Sequence, residues 1–210
     1  MATQSLTAGT GADLRFGSFA RIAGLCGVIN GCVGLLYALS FVVFGSVLWS
    51  SIFLMLGGLL SSAVLVALYD CVREADPAWS TWALVVSMAG AAGALIHGGY
   101  DLANTLHPPM MANADLPNAV DPRGLLTFGV AGLGLLAFAG LIHRSGRFSG
   151  ALGNMGYMLG TLLIVIYIAR LIVLNPANPL LLVPMLLTGF IVNPAWNIWL
   201  GIVLWRSRRS

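Results

Sequence analysis

The feature that most constrains this chain is a run of 48 residues, 22–69, that contains no Asp, Glu, Lys or Arg. As one helix rising about 1.5 Å per residue, the run would be roughly 72 Å long, more than twice the ~30 Å of hydrocarbon in a bilayer. It must therefore fold back on itself. The glycine and hydroxyl residues at 45–51, with Trp49 as an interfacial side chain, are the predicted turn. This run alone predicts two transmembrane helices.

Four further uncharged intervals follow, and each is long enough for one crossing. Only 8% of the residues are charged, whereas a soluble domain carries about 25%, so the lipid bilayer is the predicted surroundings of most of the surface. The predicted fold is an all-α integral membrane bundle of six transmembrane helices. The expected spans are about 20–44, 50–71, 78–104, 123–143, 151–174 and 180–205. Residues 1–19 are expected to form a flexible tail and 206–210 a basic C-terminus.

The distribution of arginine predicts the orientation. All ten basic residues are arginine, and basic residues in short loops stay on the cytoplasmic side. With the N-terminus inside, eight arginines face the cytoplasm and only Arg123 and Arg170 lie at the other side. We therefore predict cytoplasmic N- and C-termini in a multi-pass protein of a bacterial plasma membrane. The net charge of +3 does not indicate nucleic acid as a partner.

Glycine spacing predicts how the helices pack. Helices in lipid associate where small residues let their backbones approach closely, and two spans carry glycines at steps of three and four on one face. These are Gly24, Gly27, Gly31 and Gly34 in the first span, and Gly153, Gly156 and Gly160 in the fifth. The predicted role is packing within the monomer. A face for a membrane-protein partner or a homo-oligomer is the alternative.

Two spans carry polar and ionisable side chains at one depth. His97, Asp101 and Asn104 stand at i, i+4 and i+7, along one helix face, and Tyr167 and Arg170 occupy the corresponding depth of the fifth span. An ionisable group at the centre of a span costs about 2.5–3.5 kcal/mol on insertion scales, so it indicates a role. We expect these residues to form an outward-facing cluster in which Asp101 and Arg170 are within reach of each other.

Three interpretations of this cluster are open. The first is an ion pair of Asp101 with Arg170 that fixes how two spans pack. The second is a ligand-binding or proton pathway, in which His97 and Asp101 exchange a proton or hold a small polar solute. The third is a porphyrin-type ligand at His97, because Gly93 one turn earlier would leave room for a ring. No other cofactor is predicted.

Catalytic and metal-binding patterns are missing from the sequence. It contains no GxSxG, HExxH, GxxxxGK[ST] or strand-associated GxGxxG, and its three cysteines do not have metal-ligand spacing. The dipeptide Asp121-Pro122 is a predicted helix start, with Asp as N-cap and Pro at the first helical position. The chain is therefore not expected to be an enzyme.

Three short segments carry a resemblance to a known group of proteins. HGGYDLAN at 97–104, DPRGLLTFG at 121–129 and NPAW at 193–196 are similar to segments of small bacterial six-span membrane proteins, a family of unknown function. The resemblance implies a topology over nearly the whole chain and no activity or site. We therefore predict a non-enzymatic binding or accessory subunit of a membrane complex. Small-solute or proton-coupled transport through the outer polar cluster is the alternative, and pigment or haem binding through His97 is a further one.

Overall fold

The computed structural model of the chain describes residues 10–108, 121–173, 175 and 177–206, and every regular element within these ranges is a helix. The α-helices are α1 (Thr10–Ala38), α2 (Val47–Val72), α3 (Pro77–Leu106), α4 (Ala131–Ser145), α5 (Gly150–Ile172), α6 (Pro179–Leu187) and α7 (Asn193–Arg206). Three short π-helical segments continue them. The first (Leu39–Val43) follows α1, the second (Leu125–Val130) precedes α4, and the third (Thr188–Val192) joins α6 to α7.

These elements make six helices that are long and apolar enough to cross a membrane. Spans 1 to 6 are Phe19–Val43, Val47–Val72, Pro77–Leu106, Leu125–Ser145, Gly150–Ile172 and Pro179–Arg206. The predicted number of spans is confirmed, and the bounds agree with the predicted ones to within a few residues. The chain reverses between spans 1 and 2 at Gly45, whose φ of 58° lies in the left-handed region that glycine adopts without steric cost.

Helix α1 begins at Thr10, inside the 1–19 segment that we predicted as a flexible tail. No proline interrupts the polar residues that precede span 1, so the helix can continue beyond its apolar part. Residues 1–9 and 207–210, which hold the rest of the predicted tail and most of the basic C-terminus, lie outside the described residues. Most of the predicted polar loop at 106–122 lies outside them as well.

The starts of three helices follow local sequence signals. The Asp76 side chain accepts a hydrogen bond from Trp79 N at 3.0 Å, with Pro77 as the first helical residue. Ser149 caps α5 in the same way, and Asn178 caps α6 just before Pro179. These caps satisfy backbone N–H groups that have no partner inside the helix.

The six spans form a closed ring in chain order. Each span packs against the next, and α7 of span 6 packs back against α1. A Cβ added at Gly27 would lie 2.8 Å from the Cα of Gly201, and one added at Gly24 would lie 2.7 Å from the Gly201 carbonyl oxygen. Gly31 and Gly34 face the start of α7. The whole glycine face of span 1 is therefore covered by span 6.

The glycine face of span 5 is covered mainly by span 4. A Cβ at Gly160 would lie 2.8 Å from the carbonyl oxygen of Gly132, and one at Gly153 would lie 2.6 Å from the His143 ring. Gly156 faces Ala139 and also the indole of Trp196 on span 6. Both glycine faces are thus used inside the ring, where they bring neighbouring backbones close together.

Span 6 is the least regular of the six. Pro184 lies inside α6, the third π segment follows, and Pro194 is the second residue of α7. Proline cannot donate a backbone hydrogen bond and its ring crowds the preceding turn, so a change of helical geometry between the two prolines has a direct cause.

Candidate functional site

A cluster of charged side chains lies at one end of the bundle, where α3 ends and span 4 begins. We call this the outer end, and the cluster of His97, Asp101, Asp121 and Arg123 the ion cluster. Arg123 Nη1 lies 2.9 Å from Asp101 Oδ1, and Arg123 Nη2 lies 2.5 Å from Asp121 Oδ2. The Arg123 Nε also donates to Asp121 at 2.9 Å. One guanidinium therefore binds two carboxylates, one from each side of the loop.

The imidazole of His97 stands between these carboxylates and a hydroxyl group. The Thr127 hydroxyl lies 3.1 Å from the carbonyl oxygen of Arg123 and 3.2 Å from His97 Nδ1, so it can hydrogen-bond to both. Which of the two ring nitrogens carries the proton in the neutral imidazole depends on the direction of the Thr127–His97 hydrogen bond. The other nitrogen, Nε2, lies 3.5 Å from Asp101 Oδ2 and 3.4 Å from Asp121 Oδ2.

The ion cluster is largely enclosed. The side chains of His97 and Arg123 are only 15% and 18% exposed, and those of Asp101 and Asp121 are 29% exposed. The Tyr100 ring covers the guanidinium, with its centroid 4.3 Å from Arg123 Cζ, at a distance typical of a cation–π contact. Partial exclusion of water strengthens each of these electrostatic contacts.

Asp121 and Arg123 precede span 4, and their pKa values respond to each other. Burial by itself raises the pKa of Asp121, but hydrogen bonds from Arg123 outweigh it and hold the pKa below its ordinary value. Burial likewise lowers the pKa of Arg123, but the hydrogen bonds that it donates to Asp121 and the nearby charge of Asp101 raise the net pKa. Both groups are therefore held in their charged forms.

The cation on Asp101 differs from the predicted one. We predicted Arg170 as the partner of Asp101, whereas in the structure Asp101 forms an ion pair with Arg123. The physical reason is the order of the ring: α3 packs on span 4, and span 4 stands between α3 and α5, which carries Arg170. Arg123, at the start of span 4, is in direct reach of α3.

The other predicted site residues lie on α3 and α5. Asn104 is one turn beyond Asp101 on α3 and is half-buried. Tyr167 packs its ring against Gly129, since a Cβ added there would lie 3.0 Å from Tyr167 Cδ1. Arg170 is half-buried near the outer end of α5. A ligand-binding role for these three residues remains a prediction.

Three residues of the site were not predicted as members of it: Asp121, Arg123 and Thr127. A signal was present in the sequence, because Arg123 is one of only two arginines that the predicted topology places at the outer side. An arginine that departs from the positive-inside bias needs an acidic partner, and Asp101 and Asp121 are candidates at that same end.

The space required for a porphyrin-type ring at His97 is filled. A Cβ added at Gly93 would overlap Leu126 of the second π segment, so the glycine serves close packing of span 3 on span 4. Both nitrogens of His97 already face protein groups. These residues do not fit an axial ligand of a porphyrin. Among the described residues, no group of His, Cys, Asp and Glu is arranged to hold a metal ion.

Next to the ion cluster lies a partly open cavity of about 230 Å³, to which all six spans contribute lining residues. Thr127 lines it and is also hydrogen-bonded to His97. Aromatic side chains of Tyr37, Phe41, Phe53 and Phe128 form much of its wall near the outer end. Thr127 therefore contacts both the cavity and the ion cluster.

Farther along the cavity, an amide network connects spans 1, 2 and 6. Asn30 Nδ2 donates to Ser61 Oγ at 3.0 Å and to Asn197 Oδ1 at 2.9 Å. Asn197 Nδ2 in turn donates to Asn193 Oδ1 at 2.8 Å. All four residues line the cavity. Hydrogen bonds between helices of this kind are worth about 0.6–2 kcal/mol in membranes, so the network both joins the spans and makes one wall polar.

Comparison with known proteins finds no family model, no curated protein and no solved structure that matches this chain. The resemblance of the three short segments to bacterial six-span proteins therefore carries no further weight. The class that the fold and the site define is a helical multi-pass membrane protein with an internal cavity and a charged cluster beside it.

Proposed function

We propose that this protein is a proton-linked carrier of small solutes, with the ion cluster as the proton site and the adjoining cavity as the solute site. The observation that carries the proposal is the contact between the two: Thr127 belongs to the cavity wall and holds His97 by a hydrogen bond. A structural change in the ion cluster is thereby transmitted to the cavity wall through Thr127.

The charges of the ion cluster support proton uptake. Two carboxylates and one guanidinium leave one negative charge when His97 is neutral, and a proton on His97 cancels it. That proton has a place, because Nε2 faces Asp101 at 3.5 Å and Asp121 at 3.4 Å. An uncompensated charge is costly near the hydrocarbon, so the two protonation states favour different arrangements of span 3 against span 4.

We further propose that the outer end faces away from the cytoplasm, in a bacterial plasma membrane, with both termini cytoplasmic. The arginine distribution supports this orientation. It also supports a proton site that opens outward, the side from which a proton gradient across such a membrane drives protons inward.

Proton entry into proteoliposomes tests the proposed function. Liposomes that contain the reconstituted protein and an internal pH-sensitive dye are placed in more acidic buffer, and glycerol, urea or benzyl alcohol is added in turn. A carried solute is expected to accelerate proton entry at least several-fold over protein-free liposomes. A carried solute that also diffuses through lipid leaves the liposomes again and can be carried inward repeatedly, so the accelerated proton entry continues.

Two variants make this test specific. Asp101→Asn removes one carboxylate of the ion cluster and is expected to abolish the solute-dependent acceleration. Glu74→Gln is the matched control, because Glu74 is 71% exposed and pairs with Arg147 at the opposite end of the bundle. Equal acceleration in Asp101→Asn and the parent protein, or none with any of the three solutes, would contradict the proposal.

A role as an accessory subunit of a membrane complex also remains a prediction. The glycine faces that the sequence offers to a partner are occupied inside the ring, so they give this role no support. A protein that co-purifies stoichiometrically in mild detergent would favour it over an independent carrier.

A further inference from the structure

We infer that the central cavity binds a small uncharged molecule with an aromatic or similarly compact apolar body and one hydroxyl-type polar group. This inference rests on the proposed function in one respect: it names the class of solute that a carrier of this architecture would take. The binding site itself is argued from the cavity's own residues and is tested by binding alone.

The lining of the cavity excludes a charged ligand. It consists of apolar side chains, glycines, and the polar but uncharged side chains of Asn, Ser, Thr, Tyr and Trp. No Asp, Glu, Arg or His is among the lining residues that the structure describes. A charge transferred here without a partner would cost several kcal/mol or more, so the molecule that fits is neutral.

The size of the cavity sets the size of the ligand. An engineered apolar cavity of about 150 Å³ binds benzene, and the volume here is about 230 Å³. There is thus room for one aromatic ring with a short substituent. The wall suits a ring, because Phe41, Phe53, Phe128 and Trp196 supply aromatic surfaces on four different spans.

Buried polar atoms that lack a partner show where the polar group of the ligand belongs. Among the described residues, Ser87 Oγ, Thr188 Oγ1 and Trp196 Nε1 are buried without a hydrogen-bond partner. Each such atom costs about 1–3 kcal/mol, and all three residues line this one cavity. Their residues are 4%, 7% and 3% exposed, so water outside the bundle does not reach them.

Thr188 and Trp196 define one side of the site. They lie eight residues apart, about two turns, on the same face of span 6, and Trp196 Nε1 is directed toward the bare backbone at Gly156. Ser87 Oγ instead packs against Gly134 on span 4. Because eight helical residues span about 12 Å along the axis, one ligand hydroxyl meets one of these groups at a time. It can accept from the indole N–H or donate to the threonine oxygen, whereas a hydrocarbon can do neither.

Photolabelling tests this site directly. The probe is benzyl alcohol carrying a trifluoromethyl-diazirine group, with plain benzyl alcohol as competitor and toluene as the matched compound without the hydroxyl. Labelled residues of the intact protein in proteoliposomes are located by mass spectrometry. We expect labelling of cavity residues that saturates and is displaced by benzyl alcohol, with toluene about tenfold less effective. Labelling of lipid-facing residues should not saturate.

Filling the cavity gives the decisive variant. Gly57 lines the cavity, and a Cβ there meets nothing closer than Asn30 Oδ1 at 3.5 Å, so Gly57→Leu adds a large side chain at the cavity wall at a position where its Cβ does not clash. It should remove the saturable labelling. Gly99→Leu is the control, because Gly99 is outside the lining and its nearest neighbour is Met55 Sδ at 4.0 Å. Saturable labelling that survives Gly57→Leu would overturn the inference.

A second variant protects the test against misfolding of the first. Thr188→Val keeps the shape of the side chain and removes its hydroxyl, so it should weaken displacement by benzyl alcohol about tenfold while toluene is unaffected. Saturable labelling without solute-driven proton entry would support the site and overturn the transport proposal. Proton entry driven by glycerol, with no saturable labelling, would support the transport proposal and overturn the proposed binding site.

Discussion

Arg123 contacts both carboxylates of the ion cluster at 2.9 and 2.5 Å, whereas His97 Nε2 lies farther from them, at 3.5 and 3.4 Å. The loss of Arg123 leaves Asp101 and Asp121 facing each other, whereas the loss of Asp101 leaves Arg123 still bound to Asp121. Removing one partner of an enclosed pair is costly mainly because of the charge that stays behind. Substitutions of Arg123 and of Asp101 are therefore expected to destabilise the protein to different extents.

We predict that Arg123→Gln lowers the free energy of unfolding by about 2–3 kcal/mol, more than Asp101→Asn, which should cost about 1–2 kcal/mol. The double variant should be more stable than Arg123→Gln alone, since one uncompensated carboxylate is gone. Reversible unfolding in mixed detergent micelles measures all three. Equal losses for the two single variants would show that the guanidinium is not shared.

The lowered pKa of Asp121 predicts a pH dependence of stability. Because the ionised carboxylate is the form that binds Arg123, its stabilisation is complete above the unfolded-state pKa of about 3.9. It is lost as the pH falls through the lower folded-state pKa. The difference in unfolding midpoint between the parent protein and Asp121→Asn should therefore shrink from about pH 4 downward. A difference that is constant with pH would contradict this assignment.

Part of the ion cluster was accessible from the sequence. His97 and Asp101 are recognisable because ionisable groups in a span are costly and rarely without a role. The contact with Arg123 was not, because Asp121-Pro122 marks where span 4 begins but no local pattern says that this start packs beside His97 and Asp101 of α3. The same holds for Thr127, whose link to His97 exists only once spans 3 and 4 are packed.

At the scale of elements, glycines within the spans differ in their surroundings. Gly27 faces Gly201 across the contact of α1 with α7, where an added Cβ would lie 2.8 Å from a backbone atom. Gly57 on α2 borders the cavity and has its nearest neighbour at 3.5 Å. Alanine substitutions at the two positions therefore measure different effects: close helix packing at Gly27 and helix propensity at Gly57.

Gly27→Ala is expected to destabilise the bundle by about 1–3 kcal/mol, because the backbones of α1 and α7 must move apart. Gly57→Ala should be neutral or stabilising by up to about 1 kcal/mol, because alanine loses less conformational freedom in a helix. Thermal unfolding of the two variants in one detergent compares them. A Gly57→Ala protein that is less stable than Gly27→Ala would refute the assigned contacts.

The helices themselves follow from the sequence more closely than their irregularities do. Uncharged intervals and the capping residues Asp76, Ser149 and Asn178 place the spans to within a few residues. The sequence contains no clear signal for the π segments, apart from the prolines that flank the third. A π-helical hydrogen bond reflects a single extra residue accommodated by neighbouring spans, which is a property of packing and not of local composition.

At the scale of the whole molecule, the sequence predicts six crossings but not their order around the ring. Hydrophobicity gives the length of each span and glycine spacing gives a packing face, yet neither says that span 6 returns to span 1. The cavity is a consequence of that closure, because its lining comes from all six spans.

The proposed orientation predicts the behaviour of fusion proteins. A fluorescent protein that folds only in the cytoplasm should be bright when joined after Ser210, and an alkaline phosphatase that is active only outside should be inactive there. Insertion of the same reporters in the loop between spans 3 and 4 should give the opposite pattern. An active phosphatase at the C-terminus would reverse the orientation and place the ion cluster at the cytoplasmic face.

The three π segments give the bundle a means of changing shape without breaking a span. Each holds one residue more than an α-helical path requires, and such a surplus can pass along a helix as hydrogen bonds exchange partners in turn. Every residue that it passes turns by about 100° around the helix axis. Because Phe41, Thr127 and Thr188 all lie within π segments and line the cavity, small migrations in spans 1, 4 and 6 would alter the wall while both ends of each span stay anchored.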